Sequence, residues 1–320
     1  MNAAKNPPKV SILIPVYNRK NYIAECIQSA LDQTFSDFEV VVVDNASDDG
    51  TWEICQNFSK IDQRVRVFRN GSNIGPVRNW IRCVQEAKGA YSKILFSDDC
   101  LVPTCLSEML PKLNDPQVAL VYCAAYVGSS VANAVIFYGK NESPRLSPAQ
   151  FFNLILTAKA PVSPGAVLLR TDDLLKHLHV QFETATPREY EKNGAGPDVM
   201  ILLLTAHSHA CVAYIDTPLV FFRMHKNSFS MANANNTVTD GYQSVFSLFL
   251  TKNYSSKNWL RYLSFSWLQD MKLRKKWILP GEHLRKYEGT GSFYEMVGLM
   301  SYAVAHVVDK FVKGRLDIIK

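Results

Sequence analysis

Lys93-Ile-Leu-Phe-Ser-Asp-Asp-Cys-Leu-Val-Pro103 is a short apolar run followed by two adjacent acids. Residues 93–96 predict a buried strand, after which Asp98 and Asp99 would emerge at the carboxyl edge of a sheet, where open parallel sheets bind their ligands. Neighbouring carboxylates repel each other unless a cation lies between them. Mg²⁺ or Mn²⁺ carrying a polyphosphate satisfies that need. The alternative is that one acid only caps the helix that begins near Pro103.

The segments before this stretch alternate between β-branched apolar runs and amphipathic helical patterns. Strands are predicted at residues 10–16, 38–44 and 65–69, and helices follow them near residues 21, 52 and 76. Repeated strand–helix order is typical of a parallel sheet covered on both faces. The predicted fold class is therefore α/β, with a mostly parallel, Rossmann-like central sheet flanked by helices.

Polar loops follow these strands and are expected to converge at one edge of the sheet. Asp44 would accept hydrogen bonds from a base or a ribose, and Arg78 would pair with phosphate. The sequence has neither a GxGxxG motif after the first strand nor a GxxxxGK[ST] motif. The pattern therefore argues against a dinucleotide-binding or P-loop protein.

The pattern changes after the strand predicted at 118–126. An insertion at 127–147, a helix opened by Ser147-Pro148 and a strand at 164–170 follow. The segment 177–194 is polar and irregular, and Gly196-Pro197-Asp198 starts a helix that ends near His207. Two further strands are predicted near residues 212–215 and 219–223.

From residue 233 onward the sequence predicts helices alone. Trp259, Leu263 and Trp267 share one apolar face, and residues 251–320 carry 13 Lys or Arg against 6 Asp or Glu. Such helices either lie in a membrane interface or pack on the catalytic domain or a second subunit. The predicted domains are a catalytic domain at 1–230, with halves at 10–126 and 127–230, and a basic helical region at 231–320.

Composition excludes several classes of protein. The hydrophobic fraction of 47% supports a sizeable core in a chain of 320 residues. No charged segment followed by an apolar run opens the chain, and no apolar stretch is long enough to span a membrane. The seven cysteines are an odd number without a CxxC pair, which is typical of reduced thiols in a cytoplasmic protein. Nucleic acid is not an expected partner.

Four motifs in this order closely resemble the family 2 glycosyltransferases with the GT-A fold. The motifs are Val10-Ser-Ile-Leu-Ile-Pro-Val-Tyr-Asn18, Val42-Val-Asp-Asn-Ala-Ser-Asp-Asp-Gly-Thr51, Asn73-Ile-Gly75 with Arg78-Asn79, and Asp98-Asp99. The resemblance runs from about residue 10 to 103 and resumes from 164 to about 225. One departure is Phe96, where many members of the family carry a leading Asp.

The resemblance implies a donor site with a metal. In the family, the first two strand-end loops hold the nucleotide base, and the acidic motif binds ribose and a divalent metal. The residues implied in nucleotide-sugar binding are Pro15, Tyr17, Asn18, Asp44, Asn73, Arg78, Ser97, Asp98 and Arg223. The segment Phe222-Arg-Met-His225 with Ser228 resembles one that approaches diphosphate and metal. The implied ligands of Mn²⁺ or Mg²⁺ are Asp98, Asp99 and His225.

Asp198 corresponds to the catalytic base of the family, an acid at the start of a later helix. A carboxylate in the first turn of a helix is held ionised by backbone N–H groups and the helix dipole, as a base requires. Glu183, Glu189 and Glu191 in the preceding loop are weaker candidates.

The implied function is an inverting transfer of a sugar from a nucleoside-diphosphate sugar to the hydroxyl of a glycan or lipid-linked glycan. Surface polysaccharide synthesis is the expected process, at the cytoplasmic side of the membrane, with peripheral contact through the C-terminal helices. Two alternatives remain open: a nucleotide-sugar pyrophosphorylase, and a non-catalytic module that binds nucleotide sugars or membranes. The sequence leaves the oligomeric state, the sugar and the acceptor open.

Overall fold

The computed structural model describes residues 6–139, 143–226, 228, 237–287 and 289–313. These residues form a central sheet with helices on both faces, which confirms the α/β class. The strands are β1 (Val10–Val16), β2 (Phe38–Asp44), β3 (Val65–Arg69), β4 (Tyr91–Ile94), β5 (Cys100–Leu101), β6 (Val118–Gly128), β7 (Val135–Phe137), β8 (Arg145–Leu146), β9 (Val167–Arg170) and β10 (Cys211–Arg223). The helices are α1 (Ile23–Leu31), α2 (Thr51–Ile61), α3 (Pro76–Glu86), α4 (Cys105–Met109), α5 (Pro148–Leu156), α6 (Thr171–His177), α7 (Tyr190–Asn193), α8 (Pro197–His207), α9 (Thr237–Asn253), α10 (Ser256–Arg274), α11 (Pro280–Lys286) and α12 (Phe293–Lys313).

The first four strands are parallel, as the strand–helix order predicts. The sheet runs β3-β2-β1-β4-β9-β6-β10-β5, with β7 beside β6 and β8 beside β10. Every residue of β1 and β2 is buried, so both strands are central and mostly apolar, and the polar Ser11 and Glu39 are hydrogen-bonded to each other. Val16 at the end of β1 pairs with Asp44, which in turn pairs with Arg69. This register brings the polar loops after β1, β2 and β3 to one edge of the sheet.

The second half of the sheet is mixed rather than parallel. β9 runs antiparallel to both β4 and β6, whereas β10 is parallel to β6. The two strands predicted near residues 212–223 are one strand, β10, with register shifts on both sides of Pro218. Proline lacks the N–H that a ladder needs, so the pairing is interrupted there while the strand continues.

The C-terminal helices pack on α8. Phe246 in α9 and Trp259 and Trp267 in α10 are at most 8% exposed, and they share one apolar cluster with Val199 and Leu202 of α8. The predicted apolar face of α10 is therefore buried against protein. The boundary at residue 230 stays a prediction, because residues 229–236 lie outside the described part of the chain. Arg315 and Lys320, two of the basic residues counted in 251–320, also lie outside it.

Other apolar side chains of this region remain exposed. Trp277 is 69% and Leu279 63% exposed in the turn before α11, and Phe293 at the start of α12 is 70% exposed. Among the described residues, no helix combines the length and the apolar composition needed to cross a membrane. All seven cysteines are unpaired, and five of them are buried.

We expect Trp259→Ala to destabilise the catalytic half and the C-terminal helices together. The indole is 6% exposed and donates to Ser247 Oγ at 2.9 Å, so its removal leaves a cavity and costs about 3–5 kcal/mol. Urea unfolding should keep a single transition at a lower midpoint. Trp277→Ala is the matched control, because an exposed indole should contribute less than about 0.5 kcal/mol. An unchanged midpoint in Trp259→Ala would contradict the shared core.

Candidate active site

Asp98 follows β4 in the chain and lies beside the side chains of His225, Arg19 and Arg223. His225 Nε2 is 2.9 Å and Arg19 Nε 3.6 Å from Asp98 Oδ2. Arg223 Nε donates to the main-chain oxygen of Asp98 at 3.0 Å. The Asp98 side chain keeps 16% of its surface exposed, and that of His225 keeps 12%. This acid is therefore accessible and has strongly positive surroundings.

Asp99 ties the acidic motif to the end of β10. Its Oδ1 accepts the main-chain N–H of Arg223 at 2.9 Å. Burial, followed by the neighbouring Asp98 charge, raises the pKa of the Asp99 carboxyl well above its usual value. The capping alternative is wrong: the residue before α4 is Thr104, and Gln33 accepts the N–H of Leu106 in the first turn of α4.

The segment after β10 is held against α1. The imidazole of His225 stacks on Tyr22 with ring centroids 4.7 Å apart. Its main-chain N–H donates to Ser228 Oγ at 2.9 Å. The guanidinium of Arg223 pairs with Glu25 Oε2 at 2.7 Å. The late Arg-x-His segment and the acidic motif, over 120 residues apart in sequence, thus meet at one sheet edge.

The loops after β1 and β2 are joined by hydrogen bonds. Asn18, in the left-handed region at φ 50°, donates its main-chain N–H to Ser47 Oγ at 2.9 Å. Its side-chain amide donates to Asp48 Oδ1 at 2.9 Å and accepts the N–H of Asp48. Asp44 is fully buried and bonded to Ser47 N–H and to Arg69 Nε at 3.1 Å. A nucleotide base would reach Asp44 only by replacing one of these partners.

The remaining residues of the predicted donor site differ in exposure. Tyr17 is 41% exposed, whereas Pro15 and Ser97 are buried. Asn73 Oδ1 accepts from Asn45 Nδ2 at 2.8 Å and from Gly75 N–H, so its side chain shapes the loop before α3. Arg78 pairs with Glu191 Oε2 at 3.0 Å. Nucleotide binding by these residues stays a prediction.

Asp198 is buried at the start of α8 and bonded on both oxygens. Its Oδ1 accepts the N–H groups of Gly196 and Val199, both at 2.8 Å, and its Oδ2 accepts Tyr242 O–H at 2.7 Å. Burial raises the pKa of the Asp198 carboxyl to about 7, and the hydrogen bonds from Tyr242, Gly196 and Val199 oppose that increase. A pKa near neutrality is suited to a general base.

The three weaker candidates for the base have ordinary surface environments. Glu191 pairs with Arg78 and Glu189 with Lys192, and Glu183 is exposed in the loop before them. None of these three carboxylates is buried, whereas Asp198 is 9% exposed. The geometry therefore favours Asp198 within the predicted set.

Trp80 of α3 packs between the acidic motif and the loop of the base. Its indole meets Phe96 edge-on, with centroids 5.5 Å apart. On the other side, a Cβ at Gly194 would lie 2.5 Å from the same indole, and Gly194 has a φ of 73°, so only glycine fits. Phe96, which departs from the family pattern, therefore contributes to the wall that links the two acidic sites.

Sequence reasoning missed Arg19, Tyr22 and Tyr242. Arg19 lies in the loop after β1, which the sequence did place at the ligand edge, although no signal pointed this side chain at Asp98. Tyr22 looked like one more apolar residue of α1. Tyr242 lies in the C-terminal region, and no spacing relates it to Asp198.

The donor set at the sheet edge fits a divalent cation that also binds phosphate. Asp98 Oδ2 and His225 Nε2 already lie within 2.9 Å of each other, so both can reach one ion. Within the described residues, no cluster of three or more His, Cys, Asp or Glu side chains is arranged to hold a metal. The other positions would therefore fall to phosphate oxygens and water, as is common for Mg²⁺ and Mn²⁺.

Comparison with known proteins decides the family. The model of the family described as "Glycosyl transferase family 2" matches residues 11–173, about half of the chain. The chain belongs to this family. The family resemblance inferred from the four motifs is therefore confirmed.

Curated relatives share only part of this family 2 chain. The uncharacterized glycosyltransferase EpsJ of Bacillus subtilis is 32% identical over 124 residues, which are 38% of this chain and 36% of that protein. The GalNAc(5)-diNAcBac-PP-undecaprenol beta-1,3-glucosyltransferase of Campylobacter jejuni is 34% identical over 109 residues, 34% of this chain and 35% of that protein. The chain thus spans about a third of the length of the curated relatives that it matches.

Solved structures confirm the GT-A fold over nearly the whole chain. The crystal structure of S. aureus TarS residues 1–349 superposes with a TM-score of 0.65 at 16% identity, covering 96% of this chain and 92% of that one. The mannosyltransferase PcManGT of Pyrobaculum calidifontis, solved with GDP-Man and Mn²⁺, gives 0.50 at 16% identity and covers 98% of this chain and 77% of that one. At these identities the likeness concerns the fold.

We expect Asp198→Asn to stabilise this glycosyltransferase-family protein at pH 8. The pKa of the Asp198 carboxyl is about 7 in the folded protein, against 3.8 for an unperturbed side chain. As the pH rises, the carboxyl therefore ionises in the unfolded chain before it ionises in the folded one. Stability is therefore lost as the pH rises from 4 to 7, by about 4 kcal/mol in total. Asparagine carries no charge to bury, so its advantage in urea unfolding should be large at pH 8 and shrink towards pH 4. The control Asp172→Asn replaces an exposed acid and should show no such pH-dependent difference in stability from the unmodified protein. A difference in stability for Asp198→Asn that does not change with pH would contradict the raised pKa.

Proposed function

We propose that the protein is an inverting glycosyltransferase that moves a sugar from a nucleoside-diphosphate sugar to an acceptor hydroxyl. The observation that carries this proposal is the pairing of two different carboxylate environments in a family 2 chain. Asp98 is partly accessible at the strand edge beside Arg19 and His225, whereas Asp198 is buried at a helix start with a pKa of about 7. A metal-assisted leaving group and a general base need these two environments.

The donor is a nucleotide sugar bound with Mn²⁺ or Mg²⁺. Asp98 and His225 would hold the metal, with Asp99 beside them, and the metal would stabilise the negative charge on the departing diphosphate. Two GT-A structures support this assignment, since TarS was solved with UDP-GlcNAc and PcManGT with GDP-Man and Mn²⁺. The fold does not specify which sugar or which nucleotide base the donor carries.

Different residues of the chain carry out different parts of the reaction. As the acceptor oxygen forms its bond to the anomeric carbon, Asp198 Oδ2 takes the hydroxyl proton. The bond from the anomeric carbon to the diphosphate breaks, and its electron pair leaves with the diphosphate oxygen. Arg19 and Arg223, which already contact Asp98, are placed to bind the added negative charge. Arg78 would assist once it releases Glu191.

The acceptor is a glycan or a lipid-linked glycan of surface polysaccharide synthesis. Curated relatives support this class, because they include the putative teichuronic acid biosynthesis glycosyltransferase TuaG of Bacillus subtilis and the chondroitin synthase of Escherichia coli. The unpaired cysteines are consistent with the cytoplasm as the site of synthesis.

We expect Asp98→Ala and Asp198→Asn to separate donor binding from turnover. Asp98→Ala removes the accessible carboxylate, so calorimetry should show loss of the metal-dependent part of nucleotide-sugar affinity. Asp198→Asn keeps the shape of the site but takes no proton, so release of nucleoside diphosphate in the presence of acceptor should fall by about 10²–10⁴-fold with donor affinity unchanged.

Asp172→Ala is the control, since this exposed acid lies in α6 beside the start of β4, away from the ligand edge. Unchanged metal-supported binding in Asp98→Ala would remove the donor-site assignment. Near-normal turnover in Asp198→Asn would transfer the role of base to Glu183, Glu189 or Glu191. Consumption of a sugar 1-phosphate would instead indicate a pyrophosphorylase, and nucleotide-sugar binding without any turnover a non-catalytic module.

The second part of the proposal is peripheral contact with an anionic membrane through the basic turn, residues 272–279, which comprises the last residues of α10 and the turn before α11. The exposed side chains of this basic turn are Lys272, Leu273, Lys275, Lys276, Trp277 and Leu279. Apolar side chains flanked by lysines match the chemistry of an anionic lipid interface, where each lysine contributes about 1 kcal/mol. Deleting the C-terminal helices would not test this contact cleanly, because they share the core with α8.

We expect the combined variant Lys272→Gln, Lys275→Gln, Lys276→Gln and Trp277→Ala to lose binding to vesicles that contain phosphatidylglycerol. Three lysines at about 1 kcal/mol each predict roughly a 100-fold weaker association in sedimentation. The control variant Lys252→Gln with Lys257→Gln removes two exposed lysines from the same helical region and should bind as the unmodified protein does. Equal sedimentation of all three proteins would argue for a protein partner or a dimer at this surface.

A further inference from the structure

We propose that Tyr242 of α9 is a positioning residue for the Asp198 carboxylate, so that the C-terminal helices complete the active site. The inference rests on the proposed role of Asp198 as general base. Tyr242 lies outside residues 11–173, which the family model matches. The argument uses the hydrogen bonds of the carboxylate, the approach of α9 to the loop before α8, and the chemistry of a buried phenol.

The first observation is that Tyr242 fixes the oxygen that the main chain leaves free. Two backbone N–H groups bind Asp198 Oδ1, and Tyr242 O–H binds Oδ2 at 2.7 Å. A carboxylate has about four lone-pair positions. Three donors therefore leave one position on Oδ2, and that position is the one available to a substrate proton. Without the phenol, the carboxylate could rotate about its bond to Cβ and lose this orientation.

A second, independent observation is the close approach of α9 to the loop of the base. A Cβ at Gly241, next to Tyr242, would lie 2.6 Å from the carbonyl oxygen of Ala195. A Cβ at Gly196 would lie 2.9 Å from Val245 of the same helix. At Gly241, glycine lets the backbone of α9 approach the carbonyl oxygen of Ala195 more closely than a side chain would allow, and at Gly196 it leaves room for the side chain of Val245. The chain thus brings α9 to the loop closely enough for the phenol to reach Asp198.

The Tyr242 phenol remains a hydrogen-bond donor to Asp198 near neutral pH. Burial, followed by the Asp198 charge, raises the pKa of the Tyr242 phenol well above its usual value, so the group stays protonated. A donor to the ionised form favours ionisation and opposes the effect of burial on Asp198. The other groups facing Asp198 are the N–H groups at the start of α8, and Tyr138 faces Tyr242 from the loop after β7. None of these groups carries a charge near neutral pH.

The test is Tyr242→Phe, which removes one hydroxyl and keeps the ring that stacks near Phe246. A hydrogen bond to a charged group corresponds to about one pKa unit. The acidic limb of the pH–turnover profile should therefore move up from about pH 7 by about one unit. Turnover should fall about five-fold at pH 7 and recover at pH 9, with donor affinity unchanged. Titration of the Asp198 carboxyl by ¹³C NMR should show the same shift without any substrate.

Tyr262→Phe is the matched control, because it also removes a buried hydroxyl, one that donates to the main-chain oxygen of Gln243 instead of a carboxylate. This variant should leave the pH profile and the Asp198 titration in place. A Tyr242→Phe protein with an unmoved Asp198 titration and an unmoved profile would overturn the proposal. If no donor and acceptor pair supports turnover in the unmodified protein, the proposed function fails, and the NMR titration still decides the contact.

Discussion

The structure depends on providing partners for two adjacent carboxylates at the edge of a sheet. Asp98 and Asp99 follow a buried strand, and an uncompensated acid pair there would be costly. The main-chain N–H of Arg223 binds Asp99 and the imidazole of His225 contacts Asp98, and both residues lie at or just after the end of β10. To deliver them, β10 runs parallel to β6 across the sheet and ends beside β5. The length of β10 is thus explained by the position of its last residues beside Asp98 and Asp99.

A second constraint is the burial of Asp198, the proposed general base. Asp198 is 9% exposed, yet a base must be ionised to act. The start of α8 supplies two N–H donors, and the C-terminal helices supply Tyr242 and the apolar wall that excludes water. The same helices therefore raise the pKa of Asp198 by burial and limit that increase by donation. A region that looks like an appendage in the sequence acts on the chemistry of the catalytic half.

The sequence predicted much of the donor edge for a physical reason. Strands such as β1 and β2 are mostly apolar because both faces are buried, and their ends are marked by polar residues such as Asn18 and Asp44. Carboxyl ends of parallel strands must meet, so the convergence of these loops follows from local patterns alone. Asp198 was predicted from the family resemblance, at a glycine, a proline and an acid that together mark a helix start.

The sequence by itself thus determined the α/β class, the order of the first strands and the family, and it predicted the acids of the two proposed sites, since each is encoded in a few neighbouring residues. Only the tertiary structure decided what surrounds those acids. The stacking of Tyr22 on His225, the contact of Arg19 with Asp98 and the bond from Tyr242 to Asp198 join segments far apart in the chain. Lys93 is fully buried and donates a hydrogen bond to the carbonyl oxygen of Gly165. Lys93 lies in the stretch that indicates the fold, yet no local pattern encodes this partner. Such contacts depend on how strands and helices pack, and periodicity and motif spacing carry no information about packing partners at long range.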